Sequence, residues 1–333
     1  MRRVLVPLAI SPVLPPRGSV VHALSGRSMG TTWSARIVME GGANSPTVAL
    51  QTALDQVVAQ MSHWEDDSDL ARYNAAAAGT WQQLPADFFK VLRYALSVAQ
   101  ASDGAYDPCA GALVERWGFG ARYRHEEEGF MPPSHEQVAE LQRRAGWREL
   151  QLDERGLRAL QPGGVHLDLS SVAKGFAVDQ LARCLDARGV HHYLVEAGGE
   201  LRGSGVKPDG EPWWVELEDV PASEGAIPTV AALHGLALAT SGDYLRFYER
   251  DGVRAAHTID PRSGYPVDNG VASVSVLHAE CMAADALSTA LTVMGPEAGL
   301  RFAEQNDIAA RFLLRRDGAV HEIASSAFHA LLQ

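Results

Sequence analysis

The stretch Val165-His-Leu-Asp-Leu-Ser-Ser-Val-Ala-Lys-Gly175 decides how the chain is read. An apolar, strand-like piece (Val165 to Leu169) runs into an acid and two serines. A helical pattern then begins near Val172 and continues to about Ala187, where Gly189 stops it. Such a turn exposes backbone amides and carbonyls, and a helix N-terminus favours anions. Lys174 sits in the first turn, where its charge opposes the helix dipole, so a local anion would offset the conflict. The plainer alternative is that Asp168 only caps the helix and Lys174 is solvated.

Outward from that segment, strands come in runs and helices lie between them. Towards the N-terminus, Thr31 to Met39 alternates as a strand. Ser45-Pro46 reads as an N-cap and first-turn proline for a helix carrying Leu50, Leu54, Val57, Val58 and Met61 on one face. A second helix is expected from Asp87 to Ser102, ended by Gly104. Residues 121–133 read as a surface loop. Ser134 and Gln137 form a capping-box pattern for a helix ending near Gly146. Trp147 to Leu152 and Leu157 to Gln161 are strand-like. Towards the C-terminus, His191 to Glu196, Trp213 to Glu218 and Val271 to Leu277 are further strands. Asp251-Gly252 is a hairpin turn between Tyr244–Glu249 and Arg254–Ile259. Glu280 to Met294 is helical up to Gly295. The pattern predicts an α+β fold with largely antiparallel sheet.

The whole chain has 333 residues, 46% hydrophobic and 21% charged, which suits a soluble globular protein of one large domain or two ordinary ones. It contains no apolar run of about 18 residues, so no transmembrane segment is expected. A net charge of -12 argues against a nucleic-acid partner. A phosphorylated ligand would have to be held by local cations. Cys109, Cys184 and Cys281 are scattered and odd in number, which argues against a disulfide framework or a structural zinc site. Neither GxGxxG nor GxxxxGK[ST] occurs. Residues 1–26 read as a disordered leader or a degenerate signal peptide, with no cysteine nearby to accept a lipid. The expected location is the cytoplasm, or the periplasm if that leader acts as a signal.

Four more segments carry candidate chemistry. Asp285 and Thr289 are i and i+4 on a helix otherwise apolar or small, so both oxygens lie on one face. A carboxylate there must be paired, solvated or bound to a metal. A carboxylate, a hydroxyl and a backbone carbonyl form a hard-oxygen set suited to Mg²⁺. The alternative is a helix hydrogen bond from Thr289, with Asp285 facing water. His257-Thr-Ile-Asp260-Pro follows the hairpin; its histidine could be a base, a phosphate donor or a structural group. Gly198-Gly199 permits a tight turn or close approach of a ligand. The aromatics of Gly104-Ala-Tyr-Asp-Pro108 and Trp117-Gly-Phe-Gly120 could line a flat-ring pocket or belong to the core.

In order, these pieces resemble the ApbE family of FAD:protein FMN transferases. The match comprises Met29-Gly30-Thr31, Met61-Ser-His-Trp64 with Ser68-Asp-Leu-Ala-Arg-Tyr-Asn74, Gly104 to Pro108, Trp117 to Gly120, Asp168 to Gly175, Ala197-Gly-Gly199, His257 to Pro261 with Gly264 and Pro266, and Asp285 to Thr289. It runs from about residue 27 to 295. The resemblance implies an ApbE-like, T-fold-related α+β domain over 27–333, with the site between two lobes. It implies FAD as substrate, Mg²⁺ as cofactor, and transfer of FMN through a phosphoester bond to a threonine or serine of an acceptor flavoprotein, with release of AMP. By family position, Ser171 (through its carbonyl), Asp285 and Thr289 hold the metal. Met29, Trp64, Ala105, Tyr106, Asp107, Asp168, Lys174 and His257 line the FAD site, with His257 and Asp285 catalytic. The other readings are an FAD pyrophosphatase and a non-enzymatic flavin-binding protein.

Overall fold

Alternation along Thr31–Glu40 is that of a sheet covered on one face: Trp33, Ala35 and Ile37 are buried while Thr32, Ser34 and Arg36 are exposed. The two-residue turn Met29-Gly30, with positive φ at both positions, folds this strand back onto Ser19–Ser28. The computed structural model describes residues 3–10, 13–144, 146–220, 228–244, 246–250 and 253–332. Among them, eight strands form one antiparallel sheet. Their order across it is Ala319–Ala324, Ala309–Arg316, Val271–His278, Leu236–Gly242, Glu200–Ser204, Tyr193–Ala197, Thr31–Glu40 and Ser19–Ser28.

Three helices, Thr47–Met61, Ser170–Asp186 and Cys281–Gln305, cover one face. The core between helices and sheet includes Ile37, Leu50, Leu54, Phe176, Leu181, Val274 and Leu291. Each such side chain contributes about 1.5–3 kcal/mol by leaving water. A second cluster, built from Leu5, Leu233, Leu238, Leu277 and Phe328, brings in a small sheet of Arg3–Leu5, Thr229–Leu233 and Trp213–Glu216. Val274 belongs to the first cluster and Leu277 to the second, so Val271–His278 is covered on both faces and reads as a continuous apolar run. A third cluster, Leu113, Trp117, Val138 and Ile259, ties the 104–146 region to the turn after His257. There Trp117 Nε1 donates to the Gly264 carbonyl at 2.8 Å.

Several expectations shift. The leader is not separate from the fold: Arg3–Leu5 runs parallel to Thr229–Leu233, and Ser19–Ser28 is a sheet strand. The first helix begins at Thr47 with Pro46 as its cap, one residue later than expected. The helix after Ser134 keeps its capping box but ends at Gln142, short of Gly146. Most of Trp147–Leu152 is turn and coil, and only Leu152–Asp153 pairs as a strand. Val165–Leu169 is strand-like only at one isolated bridge, Ala110 to His166. Phe247–Arg250 pairs with Val253–Ala256 as expected of the hairpin, whose Asp251-Gly252 turn lies outside the described residues. Gly295, at φ 79°, breaks the last long helix where expected, and Pro296 opens a second helical run to Gln305.

Candidate functional site

The site is built on a crossing of two helices at Gly175. A Cβ there would lie 2.3 Å from the Cys281 carbonyl oxygen and 2.8 Å from Asp285 Cβ, so only glycine lets Ser170–Asp186 and Cys281–Gln305 approach this closely. The Gly175 N–H donates to Asp285 Oδ2 at 2.9 Å. In a helix that same N–H points at the carbonyl four residues back, which is Ser171. Helix geometry alone therefore directs the Ser171 carbonyl towards the amide that Asp285 accepts from. Thr289 lies one turn beyond Asp285, its Oγ1 3.0 Å from Ser241 Oγ. Asp285 is buried, and burial raises its pKa against the opposing pull of Lys174 and the Gly175 amide. Carboxylate, carbonyl and hydroxyl are hard oxygen donors, and the one amide bond leaves Asp285 acceptor capacity for a cation. The residues present fit Mg²⁺.

Beside this crossing, Lys174 forms an ion pair with Glu200. Burial works against the lysine charge, but Glu200 and Asp285 outweigh it and hold the ammonium above the usual lysine range. The anion that offsets Lys174 thus comes from the chain itself. Glu200 is only 3% exposed, and its Oε2 has no hydrogen-bond partner. Burial pushes its pKa up to about 7, with Lys174 pulling the other way. The Gly198-Gly199 turn, at φ 60° and 98°, places Glu200 at the start of its strand. Two residues on, Arg202 pairs with fully buried Asp179. Asp179 accepts from the amides of Cys281 and Met282, each at 3.0 Å, and so caps the helix that carries Asp285. Sequence reasoning missed Glu200, Asp179, Arg202 and Ser241. The available clue was alternation after the glycine pair, which puts residues 200 and 202 on one face.

The flavin-site residues expected from the resemblance gather around the crossing to different degrees. Tyr106 is buried and its hydroxyl accepts from Ser171 Oγ at 3.2 Å. Its pKa is raised by burial, with Asp285 and Asp168 adding to the effect. Ala105 is buried next to it. Asp168 Oδ1 accepts from the Ser170 amide at 2.8 Å in the turn just before the helix, and lies 3.9 Å from His63 Nδ1. Trp64, half exposed, leans on His63 with Arg124 5.9 Å from its ring centroid. Thr31, beside the Met29 turn, and Lys174 both border Gly198: a Cβ there would lie 3.1 Å from Thr31 Cγ2 and 3.7 Å from Lys174 Cδ. Asp107 accepts from the Cys109 amide at 2.7 Å, and burial raises its pKa.

His257 Nδ1 lies 3.1 Å from the Arg246 carbonyl. A carbonyl can only accept, so Nδ1 carries the proton and Nε2 the free lone pair. Crowding by protein pushes the imidazole down to about 4, and the positive charges of Arg246 and Lys174 act in the same direction. The ring is neutral at pH 7. Phe119 meets it edge-on, with centroids 6.3 Å apart. All three cysteines are free.

The fold is an antiparallel α+β scaffold whose helix crossing sets the Asp285 carboxylate beside the Lys174–Glu200 ion pair. The sequence profile of the ApbE family matches residues 29–312. The chain is 36% identical to the FAD:protein FMN transferase of Haemophilus influenzae, covering 99% of this chain and 97% of that one. It is 36% identical to the same-named protein of Vibrio cholerae, over 94% of this chain and 92% of that one. Among solved structures it is similar to the Pseudomonas stutzeri flavinyl transferase ApbE, apo form, with a TM-score of 0.86 and 36% identity over 94% of this chain and 97% of that one. The flavin transferase ApbE from Vibrio cholerae gives a TM-score of 0.85 and 34% identity, over 94% and 99%. The chain belongs to the ApbE family. Among the described residues, no helix is long and apolar enough to cross a membrane.

Proposed function

We propose that this chain is an FAD:protein FMN transferase, which moves FMN from FAD to a threonine or serine hydroxyl of an acceptor flavoprotein and releases AMP. The observation that carries the reading is the bond from the Gly175 amide of one helix to the Asp285 carboxylate of the other, with Ser171 one turn back along the first helix and Thr289 one turn on along the second. The names of the similar proteins give this arrangement its substrate. Asp285, Thr289 and the Ser171 carbonyl would hold Mg²⁺. When bound, the ion neutralises pyrophosphate charge and eases departure of AMP.

The chain's own groups do the rest. Lys174 sets a positive charge beside the phosphates, tempered by Glu200. The acceptor hydroxyl attacks the FMN-side phosphorus, a P–O bond forms, and the P–O bond to AMP breaks with the bridging oxygen leaving on AMP. His257 Nε2 takes the hydroxyl proton. A ring with a pKa of about 4 is a weak base, but anionic phosphates beside it raise its proton affinity. Catalysis is then chiefly positioning and electrostatics. Trp64, half exposed, offers aromatic surface for the flavin or adenine ring.

The test combines purified protein, FAD, Mg²⁺ and a flavin-free acceptor flavoprotein, followed by in-gel flavin fluorescence and AMP quantification. Covalent flavin and AMP in equal amounts are expected. AMP formed equally with and without acceptor, and no labelled protein, would identify a pyrophosphatase instead. Bound FAD without AMP would leave only a flavin-binding protein.

A further inference from the structure

The strand Ser19–Ser28 is the last strand of the main sheet, and among the described residues no strand pairs with its outer side. Its polarity follows from the turn. A two-residue hairpin closes on a hydrogen-bonded pair, here Ser28 with Thr31. Gly26, Leu24, His22 and Val20 therefore direct their amides and carbonyls at Thr31–Glu40, and Val21, Ala23, Ser25 and Arg27 direct theirs outward. Two contacts agree. The Arg27 carbonyl accepts from Gln51 Nε2 at 3.2 Å, away from the neighbouring strand. Val38, opposite Val21, gives its amide to the His192 carbonyl at 2.9 Å, on its far side.

Sheet edges are ordinarily blunted by prolines, bulges or charged side chains. This one has no proline, an unbroken ten-residue register, and Arg27 as its one Lys, Arg, Asp or Glu residue. Val20 and Val21 are 47% and 42% exposed. The opposite edge, Ala319–Ala324, carries Glu322, which is held by Arg3 and Arg311. The open edge also leads to chemistry. It ends at Met29-Gly30, and Thr31 beyond that turn borders Gly198 together with Lys174.

We infer that Val21–Ser25 is the docking edge for the acceptor flavoprotein, whose extended segment adds as a further strand and carries its hydroxyl on to the site; this rests on the transferase reading above. Main-chain pairing gives such docking affinity with little demand on sequence. Gln51 occupies the Arg27 carbonyl, so pairing stops at Ser25. The partner leaves the edge there, about four residues or roughly 14 Å short of the Met29 turn at 3.4 Å per residue. A second copy of the chain, pairing symmetrically about Ala23, is the competing occupant, and the dependence of protection on chain concentration separates the two.

The test is hydrogen exchange on the wild-type chain with Mg²⁺ and a flavin-free acceptor protein, together with Ala23→Pro. That substitution removes an outward amide and leaves the ladder to Thr31–Glu40 intact. The acceptor should slow exchange at Val21, Ala23 and Ser25. Ala23→Pro should raise the KM for acceptor about tenfold or more, with FAD affinity and melting temperature near wild type. Labelling without protection at this edge, or a wild-type KM in Ala23→Pro, overturns the inference. So does protection that grows with chain concentration alone, which would assign the edge to a second copy. If Ala23→Pro does not fold, exchange on the wild type decides. If the wild type labels no acceptor while binding FAD, the transferase reading fails first, and this inference with it.

Discussion

Gly175→Ala separates the geometry of the site from simple helix preference, because the two predict opposite signs. Gly175 is inside Ser170–Asp186, where alanine is intrinsically better than glycine by about 1 kcal/mol. On propensity alone the variant is more stable. Against this, the new Cβ would sit 2.3 Å from a main-chain oxygen, Cys281 O, which cannot swing aside as a flexible side chain could. Overpacking of this kind costs about 1–3 kcal/mol. Separating the helices also weakens the 2.9 Å bond from the Gly175 amide to the Asp285 carboxylate. A bond to a charged group contributes about 1.5–3 kcal/mol. The net is a loss of about 2–4 kcal/mol, a large share of a typical stability of about 5–15 kcal/mol. Urea unfolding should show a lower midpoint at unchanged slope, and calorimetric titration should show weaker Mg²⁺ binding. A variant as stable as wild type, or more so, with unchanged Mg²⁺ affinity, would mean that the helices do not cross here as described.

Asp179→Ala should cost about 3 kcal/mol or more in denaturant unfolding, since it strips two amide bonds from a helix start and leaves Arg202 without its partner; a loss below about 1 kcal/mol would contradict that role. Glu200→Gln frees the Lys174 charge and should tighten FAD binding a few-fold by fluorescence titration; weaker binding would show that the pair acts as a unit. In the wild type, Glu200 gains negative charge as pH rises through about 7, so FAD affinity should fall across that range, and the slope should vanish in the Gln variant. His257 has a depressed pKa, so its contribution to stability is present above about 6.5 and fades as pH falls towards about 4. The His257 imidazole resonances should titrate well below pH 6, and a midpoint near 6.5 would refute the neutral ring crowded by protein.

The parts of the fold legible in the sequence were those with a strict period or a capping motif. Thr31 to Met39 alternates in the sequence and in the sheet. Ser134 and Gln137 form their box, and Gly295 breaks its helix. Ser19–Ser28 was illegible because an edge strand rich in small residues (Ala23, Ser25, Gly26) shows little apolar contrast. Arg3–Leu5 was illegible because three residues acquire strand geometry only from a partner more than 200 positions away. At the site, Asp285 and Thr289 were legible because i, i+4 spacing fixes a face. Glu200 and Asp179 were not, since their meaning depends on which elements press on them. Gly175 shows the limit well: it reads as a neutral helix residue until the Cys281 helix lies against it.

The proposed metal site brings Asp285, Thr289 and the Ser171 carbonyl to one divalent cation beside the FAD pyrophosphate. The most direct measurement is anomalous diffraction from crystals grown with Mn²⁺ and FAD, compared with Asp285→Asn under the same conditions. One strong peak is expected within bonding distance of those three oxygens and a phosphate oxygen, absent in the variant. A peak elsewhere, or one that survives the loss of the Asp285 charge with activity intact, would contradict it.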